Sequence, residues 1–119
     1  MDVSRSNTSR VESPLFLYRQ QLADLCKRYK VRYLYAFGSV TTTRYVPDQS
    51  DVDLLVILQD MPPEQKGQML LDFWDEVELL LHTKVDLLTS LTIKNPYLRK
   101  SVDSTKKLIY NGAREEILI

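Results

Sequence analysis

The chain has 119 residues, of which 44% are hydrophobic, which is enough for one domain with its own core and too little for two. Sixteen basic residues balance sixteen acidic ones, so the net charge is zero and we expect no direct nucleic-acid binding through a broadly basic surface. The single cysteine, Cys26, excludes an intramolecular disulfide, and without a His/Cys cluster there is no zinc signature. No apolar stretch is long enough to span a bilayer and no signal peptide opens the sequence, which predicts a cytoplasmic protein without membrane contact.

The N-terminal part of the chain divides into a tail and a helix. Residues 1–12 are mostly polar and offer little to bury, so we predict a disordered tail followed by one domain over residues 13–119. Ser13-Pro14 is typical of a helix start, because an N-cap residue precedes a proline at the first helical position. Apolar residues then recur every three or four positions, at Leu15, Tyr18, Leu22, Leu25 and Tyr29. This spacing predicts a helix whose apolar face covers a sheet.

A glycine and a serine follow the first predicted strand. Tyr33 to Phe37 form an aromatic and apolar run that ends at Gly38-Ser39. A glycine lets the backbone turn sharply and lets a ligand approach the main chain, while Ser39 adds a hydroxyl and an N–H group. A helical turn beginning at residues 40–43 would add free N–H groups suited to a triphosphate. The sequence lacks a P-loop string, so the phosphates would be held through metal and backbone.

Two aspartates stand at the start of the second predicted strand. Asp51 and Asp53 are two residues apart, and strand side chains alternate with a period of two, so both carboxylates point to one face. Two carboxylates that lie close together repel each other and tend to take up a proton unless a cation lies between them. The usual cation bound by such oxygen ligands is Mg²⁺. The continuous apolar run over residues 54–58 predicts a strand buried on both faces.

A third aspartate lies on a later predicted strand. Met61-Pro62-Pro63 interrupts the chain, and residues 64–82 have the apolar spacing of the longest helix. Asp86 then lies within the short run 84–88, where a charge flanked by apolar residues needs a partner that a metal could supply. Asn95-Pro96 starts a last short helix. The alternation of helices and strands predicts an α/β domain with a small sheet packed by helices.

Taken singly, these motifs have simpler interpretations, since an Asp-x-Asp is more often a capped turn and a lone aspartate more often a surface residue. Their order along the chain instead favours a carboxylate-lined phosphoryl-transfer site. In that order the sequence resembles the minimal nucleotidyltransferases of the DNA polymerase β superfamily. The family is marked by Gly-Ser, a spacer of around ten residues, Asp-x-Asp and a later Asp. The matching residues are Gly38, Ser39, Asp51, Asp53 and Asp86.

The resemblance, which runs from about residue 15 to residue 112, implies a mixed sheet and a role for each motif residue. Asp51 and Asp53 would hold two Mg²⁺ ions that bridge the phosphates of ATP. Asp86 would complete the second metal site and orient or deprotonate the acceptor hydroxyl. Gly38 and Ser39 would hold the terminal phosphates while AMP is transferred and pyrophosphate leaves.

The loop between Ser39 and Asp51 departs from the family pattern. It holds eleven residues, and the Ala-Arg-Gly of many relatives is replaced by residues 41–45, Thr-Thr-Thr-Arg-Tyr. Arg44 is the candidate counterpart of the family arginine in nucleotide binding.

The resemblance also implies a partner. Only 33 residues follow Asp86, which leaves too little chain for an acceptor-binding domain. In the family the companion is a helical HEPN-domain ribonuclease toxin, which the nucleotidyltransferase silences as antitoxin by transferring AMP to a tyrosine. Two alternatives remain open: a catalytically degraded module that masks its partner, and a stand-alone nucleotidyltransferase acting on a small molecule such as an antibiotic.

Overall fold

The computed structural model describes residues 14–38, 51–89 and 95–119, which form an α/β fold. The helices are α1 (Pro14–Leu17), α2 (Arg19–Arg28), α3 (Pro63–Leu81) and α4 (Pro96–Thr105). The strands are β1 (Val31–Phe37), β2 (Val52–Leu58), β3 (Val85–Leu88), β4 (Lys107–Asn111) and β5 (Glu116–Ile117). None of the described helices is long and apolar enough to cross a membrane.

The described strands form one sheet in the order β3-β2-β1-β4-β5. β2 and β3 pair in parallel, whereas β1 pairs antiparallel with both β2 and β4, and β4 pairs antiparallel with β5. Parallel neighbours need a crossover connection, and α3 provides it between β2 and β3. The mixed sheet that the family resemblance implies is therefore confirmed.

The two faces of the sheet are covered unequally. On one face, alternate residues of β2 (Val52, Leu54 and Val56) pack into the main core, which includes Phe73 of α3 and Leu22 of α2. On the other face, the buried residues Phe37, Leu55 and Val102 form a separate small cluster, and α4 supplies the last of them. This second face is the one that carries the carboxylates described below.

The element boundaries differ from the sequence expectations in a few places. The predicted N-terminal helix divides at Tyr18, whose φ of −109° and ψ of 27° depart from helical values. Backbone hydrogen bonds nevertheless continue across it, from Tyr18 N to the Pro14 oxygen and from Leu22 N to the Tyr18 oxygen. α3 matches its predicted range to within one residue, and His82 ends it in the left-handed conformation.

The C-terminal hairpin of β4 and β5 has no counterpart in the sequence expectations. Its turn is closed in part by the Asn111 side chain, which accepts a hydrogen bond of 3.0 Å from the Ala113 N–H group. Asn111 is the last residue of β4 and pairs with Glu116, so the loop holds four residues and is not the two-residue turn for which Asn-Gly is a signal.

Candidate active site

Asp53 and Asp86 lie side by side on the second face of the sheet. They are direct partners in the parallel register of β2 and β3, where Val52 pairs with Val85 and Asp53 with Asp86. Asp53 also pairs with Phe37, the last residue of β1. Asp51 immediately precedes β2, two residues before Asp53. The structure thus brings the second and third predicted carboxylates together and keeps the first nearby.

The electrostatics of Asp53 show how close these carboxylates are. Its pKa is raised from the ordinary value of 3.8 to about 6, first by burial and then by the negative charge of Asp86. A side-chain hydrogen bond with Asp86 and the charge of Asp51 raise it further. Two carboxyl groups can share a hydrogen bond only when one of them carries a proton. Without a cation, Asp53 therefore keeps its proton up to a higher pH than an ordinary aspartate does, which is the behaviour of crowded carboxylates.

The donor set fits a hard divalent cation. Carboxylate oxygens are the ligands of Mg²⁺, which is commonly held by one or two carboxylates together with substrate phosphates. Within residues 14–38, 51–89 and 95–119, no group of three His, Cys, Asp or Glu side chains is spaced to cage a metal ion. The adjacent pair of Asp53 and Asp86 is nevertheless sufficient for a cation whose remaining ligands come from a nucleotide and water.

Gly38 lies directly against the Asp53 carboxylate. Its φ of +73° falls in the left-handed region, where a side chain is strained. A Cβ added at this position would stand 2.5 Å from the Asp53 Oδ2 atom. Glycine is therefore required here both by the backbone conformation and by the space that the carboxylate occupies.

Thr105 is a site residue that the sequence analysis missed. The Gly38 N–H group donates a hydrogen bond of 3.0 Å to its Oγ1 atom, and the Thr105 hydroxyl donates one of 2.9 Å to the Ser101 oxygen. Thr105 ends α4, the helix that packs on this face through Val102. It stands 67 residues from Gly38 in sequence, and no local signal in the chain connects the two.

Two predicted nucleotide-binding residues, Ser39 and Arg44, lie outside the described residues, as does the expected helical turn at residues 40–43. Their roles remain predictions. The described part of the candidate site therefore consists of Gly38, Asp51, Asp53, Asp86 and Thr105.

Comparisons with known proteins identify the family. The family model of polymerase β nucleotidyltransferases matches residues 20–115. The chain belongs to this family. It is a nucleotidyltransferase, and the resemblance read from the Gly-Ser and Asp-x-Asp motifs is confirmed.

Three matches illustrate these similarities. The chain is 35% identical over 94 residues to "Putative protein adenylyltransferase MJ0128" of Methanocaldococcus jannaschii, a match that covers 79% of this chain and 90% of the relative. A solved structure of a "putative minimal nucleotidyltransferase" is 27% identical with a TM-score of 0.54, covering 78% of this chain and 90% of the other. A third structure, the tri-AMPylated HEPN toxin of Shewanella oneidensis with its MNT antitoxin, contains a chain with a TM-score of 0.52 and 19% identity. That match covers 83% of this chain and 74% of the other, and at this identity it supports the fold alone.

Proposed function

We propose that this nucleotidyltransferase transfers AMP from ATP, with Mg²⁺, to a hydroxyl group of a partner protein, and that it acts as the antitoxin of a HEPN-type ribonuclease toxin. The observation that carries the proposal is the register pairing of Asp53 with Asp86 beside the Gly38 turn. The relative named as a protein adenylyltransferase supports a protein acceptor, and the fold shared with a chain of the complex that contains an AMPylated HEPN toxin is the reason for choosing a HEPN protein.

In the proposed reaction each residue has a distinct task. Asp53, with Asp86 beside it and Asp51 nearby, would hold Mg²⁺, and the bound ion would offset the charge of the nucleotide phosphates. Gly38 brings the main chain close to those phosphates, and Ser39 adds its hydroxyl and N–H group. Thr105 fixes the turn by accepting the Gly38 N–H hydrogen bond.

Asp86 serves the acceptor hydroxyl. It lies on the edge strand β3 and is exposed, whereas Asp53 is half-buried. The Asp86 carboxylate orients the hydroxyl and accepts its proton as the oxygen attacks the α-phosphorus. The bond from the α-phosphorus to the bridging oxygen breaks, and pyrophosphate leaves with the electron pair of that bond.

The test is incubation of the purified chain with ATP, Mg²⁺ and a candidate HEPN-type partner, followed by mass spectrometry of the partner. We expect a mass gain of one AMP on a partner hydroxyl and no gain with the double variant Asp51→Asn, Asp53→Asn. The matched control is Asp75→Asn on the exposed side of α3, which should transfer AMP as the wild type does.

Two results would separate the proposal from its alternatives. Full inhibition of the partner's ribonuclease activity without any mass gain would indicate a masking module. Unchanged transfer by the double aspartate variant would refute the proposed chemistry.

A further inference from the structure

Two side chains of α3 hold the backbone of Val85, the residue that precedes Asp86. The Trp74 indole Nε1 donates a hydrogen bond of 2.7 Å to the Val85 oxygen. The Val85 N–H group donates a hydrogen bond of 2.8 Å to the Glu78 Oε2 atom. Trp74 and Glu78 are four residues apart, so they lie next to each other on one face of the helix. Both main-chain polar groups of one strand residue are thus bound by α3, and we call these two hydrogen bonds the Val85 clamp.

The position of β3 explains why Val85 needs such partners. Among the strands that the structure describes, β3 lies at the edge of the sheet and pairs with β2 alone. The Val52 N–H group bonds to the Lys84 oxygen, so the main-chain groups of Lys84 face β2. Main-chain groups alternate in direction along a strand, and those of Val85 therefore point toward the open edge. At this one residue, α3 takes the place of a neighbouring strand.

The clamp acts on the residue beside it. Asp86 pairs with Asp53 of β2 on one side of the strand. On the other side, the clamp binds the main-chain groups of Val85, the residue before it. Side chains that orient a ligating residue through hydrogen bonds commonly matter to a metal site nearly as much as the ligands themselves. We infer that Trp74 and Glu78 are positioning residues that set the place of the Asp86 carboxylate beside Asp53. The inference rests on the proposed function, because that function gives Asp86 its role.

The first measurement tests the clamp itself. Glu78→Met removes the acceptor, Glu78→Gln keeps an acceptor oxygen, and Glu76→Met makes the same replacement two positions earlier, on a different face of the helix. Amide hydrogen exchange of Val85 is followed relative to that of Val56 in the core. Because a hydrogen bond to a charged acceptor is lost, we expect the Val85 amide to exchange about tenfold faster or more in Glu78→Met. In the other two variants its rate should stay close to that of the wild type.

The second measurement tests positioning without relying on activity. Binding of Mn²⁺ alone to the full chain, followed by electron paramagnetic resonance, should weaken about 10- to 100-fold in Glu78→Met. Trp74→Phe, which removes the indole donor and keeps an aromatic ring, should weaken it in the same direction. Glu78→Gln should restore most of the affinity, and Glu76→Met should not change it.

The third measurement is the rate of AMP transfer at a temperature where circular dichroism shows every variant to be folded. The kcat of Glu78→Met should fall about tenfold or more. Its KM for ATP should change less, because the Gly38 turn is not altered.

Two outcomes would overturn the inference. In the first, Glu78→Met shows faster Val85 exchange with wild-type Mn²⁺ affinity, so the clamp stabilises the strand edge without positioning Asp86. In the second, Glu78→Gln loses as much affinity as Glu78→Met, so charge and not the hydrogen bond is responsible. If the wild type transfers no AMP, the proposed function fails, while the Mn²⁺ measurement still decides the role of the clamp.

Discussion

Replacing Asp53 by asparagine is expected to abolish transfer and, in the absence of metal, to stabilise the folded chain near neutral pH. The wild-type carboxyl is ionised there in a place where burial and the negative charge of Asp86 oppose ionisation. The asparagine amide carries no charge and can donate a hydrogen bond to the Asp86 carboxylate. The variant therefore removes a repulsion and keeps the polar contact.

The magnitude follows from the pKa of Asp53 in the folded chain. Folding raises that pKa from 3.8 to about 6. In the pH window between these two values, the folded state therefore keeps a proton that the unfolded state has lost. The free energy of unfolding then falls as the pH rises through the window, and the full penalty is present above it. At about 1.4 kcal/mol for each pKa unit, the rise gives an upper bound of about 3 kcal/mol. Solvent screening of a half-buried group reduces this, and we expect about 1–2 kcal/mol.

The assay is urea unfolding with a chelator present, at about pH 4 and about pH 7.5. The wild type should lose stability between the two values, and Asp53→Asn should show a flatter profile and equal or greater stability at the higher pH. Asp75→Asn, a change on the exposed side of α3, should retain the wild-type profile. Excess Mg²⁺ should stabilise the wild type by mass action and should stabilise Asp53→Asn much less.

One result would refute this reasoning directly. If Asp53→Asn were clearly less stable than the wild type at about pH 7.5 without metal, the carboxylate would be contributing favourable contacts in the folded state. The charges of Asp51 and Asp86 would then not be crowding it.

Further variants test the rest of the described site. Gly38→Ala forces a side chain into the left-handed region at about 1–2 kcal/mol and pushes on the Asp53 carboxylate, so urea unfolding should show that loss and transfer should fall sharply. Thr105→Val removes the acceptor of the Gly38 N–H group, which should destabilise the chain by about 1–3 kcal/mol and slow transfer, whereas Thr105→Ser should preserve both. Cys26 is buried and desolvation raises the pKa of its thiol. Ellman's reagent should therefore label Cys26 slowly in the native chain and rapidly in urea. Rapid labelling of the native chain would contradict the packing of α2 on the core.

The sequence was most informative where a short pattern determines local geometry. The continuous apolar run over residues 54–58 predicted a strand buried on both faces, and the structure gives β2 over Val52–Leu58 with Leu54, Leu55 and Val56 buried. The apolar spacing over residues 64–82 likewise predicted α3. In both cases the pattern of a single element was enough.

Contacts between distant parts of the chain could not be predicted in this way. The hydrogen bond from Gly38 to Thr105 depends on α4 packing on the second face of the sheet, and the Val85 clamp depends on α3 packing beside β3. A threonine at a helix end and a glutamate within a helix have no local sequence pattern from which their hydrogen-bond partners could be predicted. The roles of such residues can be recognised only once the packing of the helices and strands is known.

The parallel pairing of β2 and β3 explains why Asp53 and Asp86 lie next to each other on one face of the sheet. Each is the second residue of its strand, and parallel neighbours place their starting residues at the same edge of the sheet. If β3 ran antiparallel to β2 over the same four residues, Asp86 would pair with Leu54 and would lie on the core face of the sheet, opposite to the face of Asp53. The crossover through α3 makes the parallel arrangement possible. The same helix therefore brings the two carboxylates to one edge and, through the Val85 clamp, holds the strand that carries the second of them.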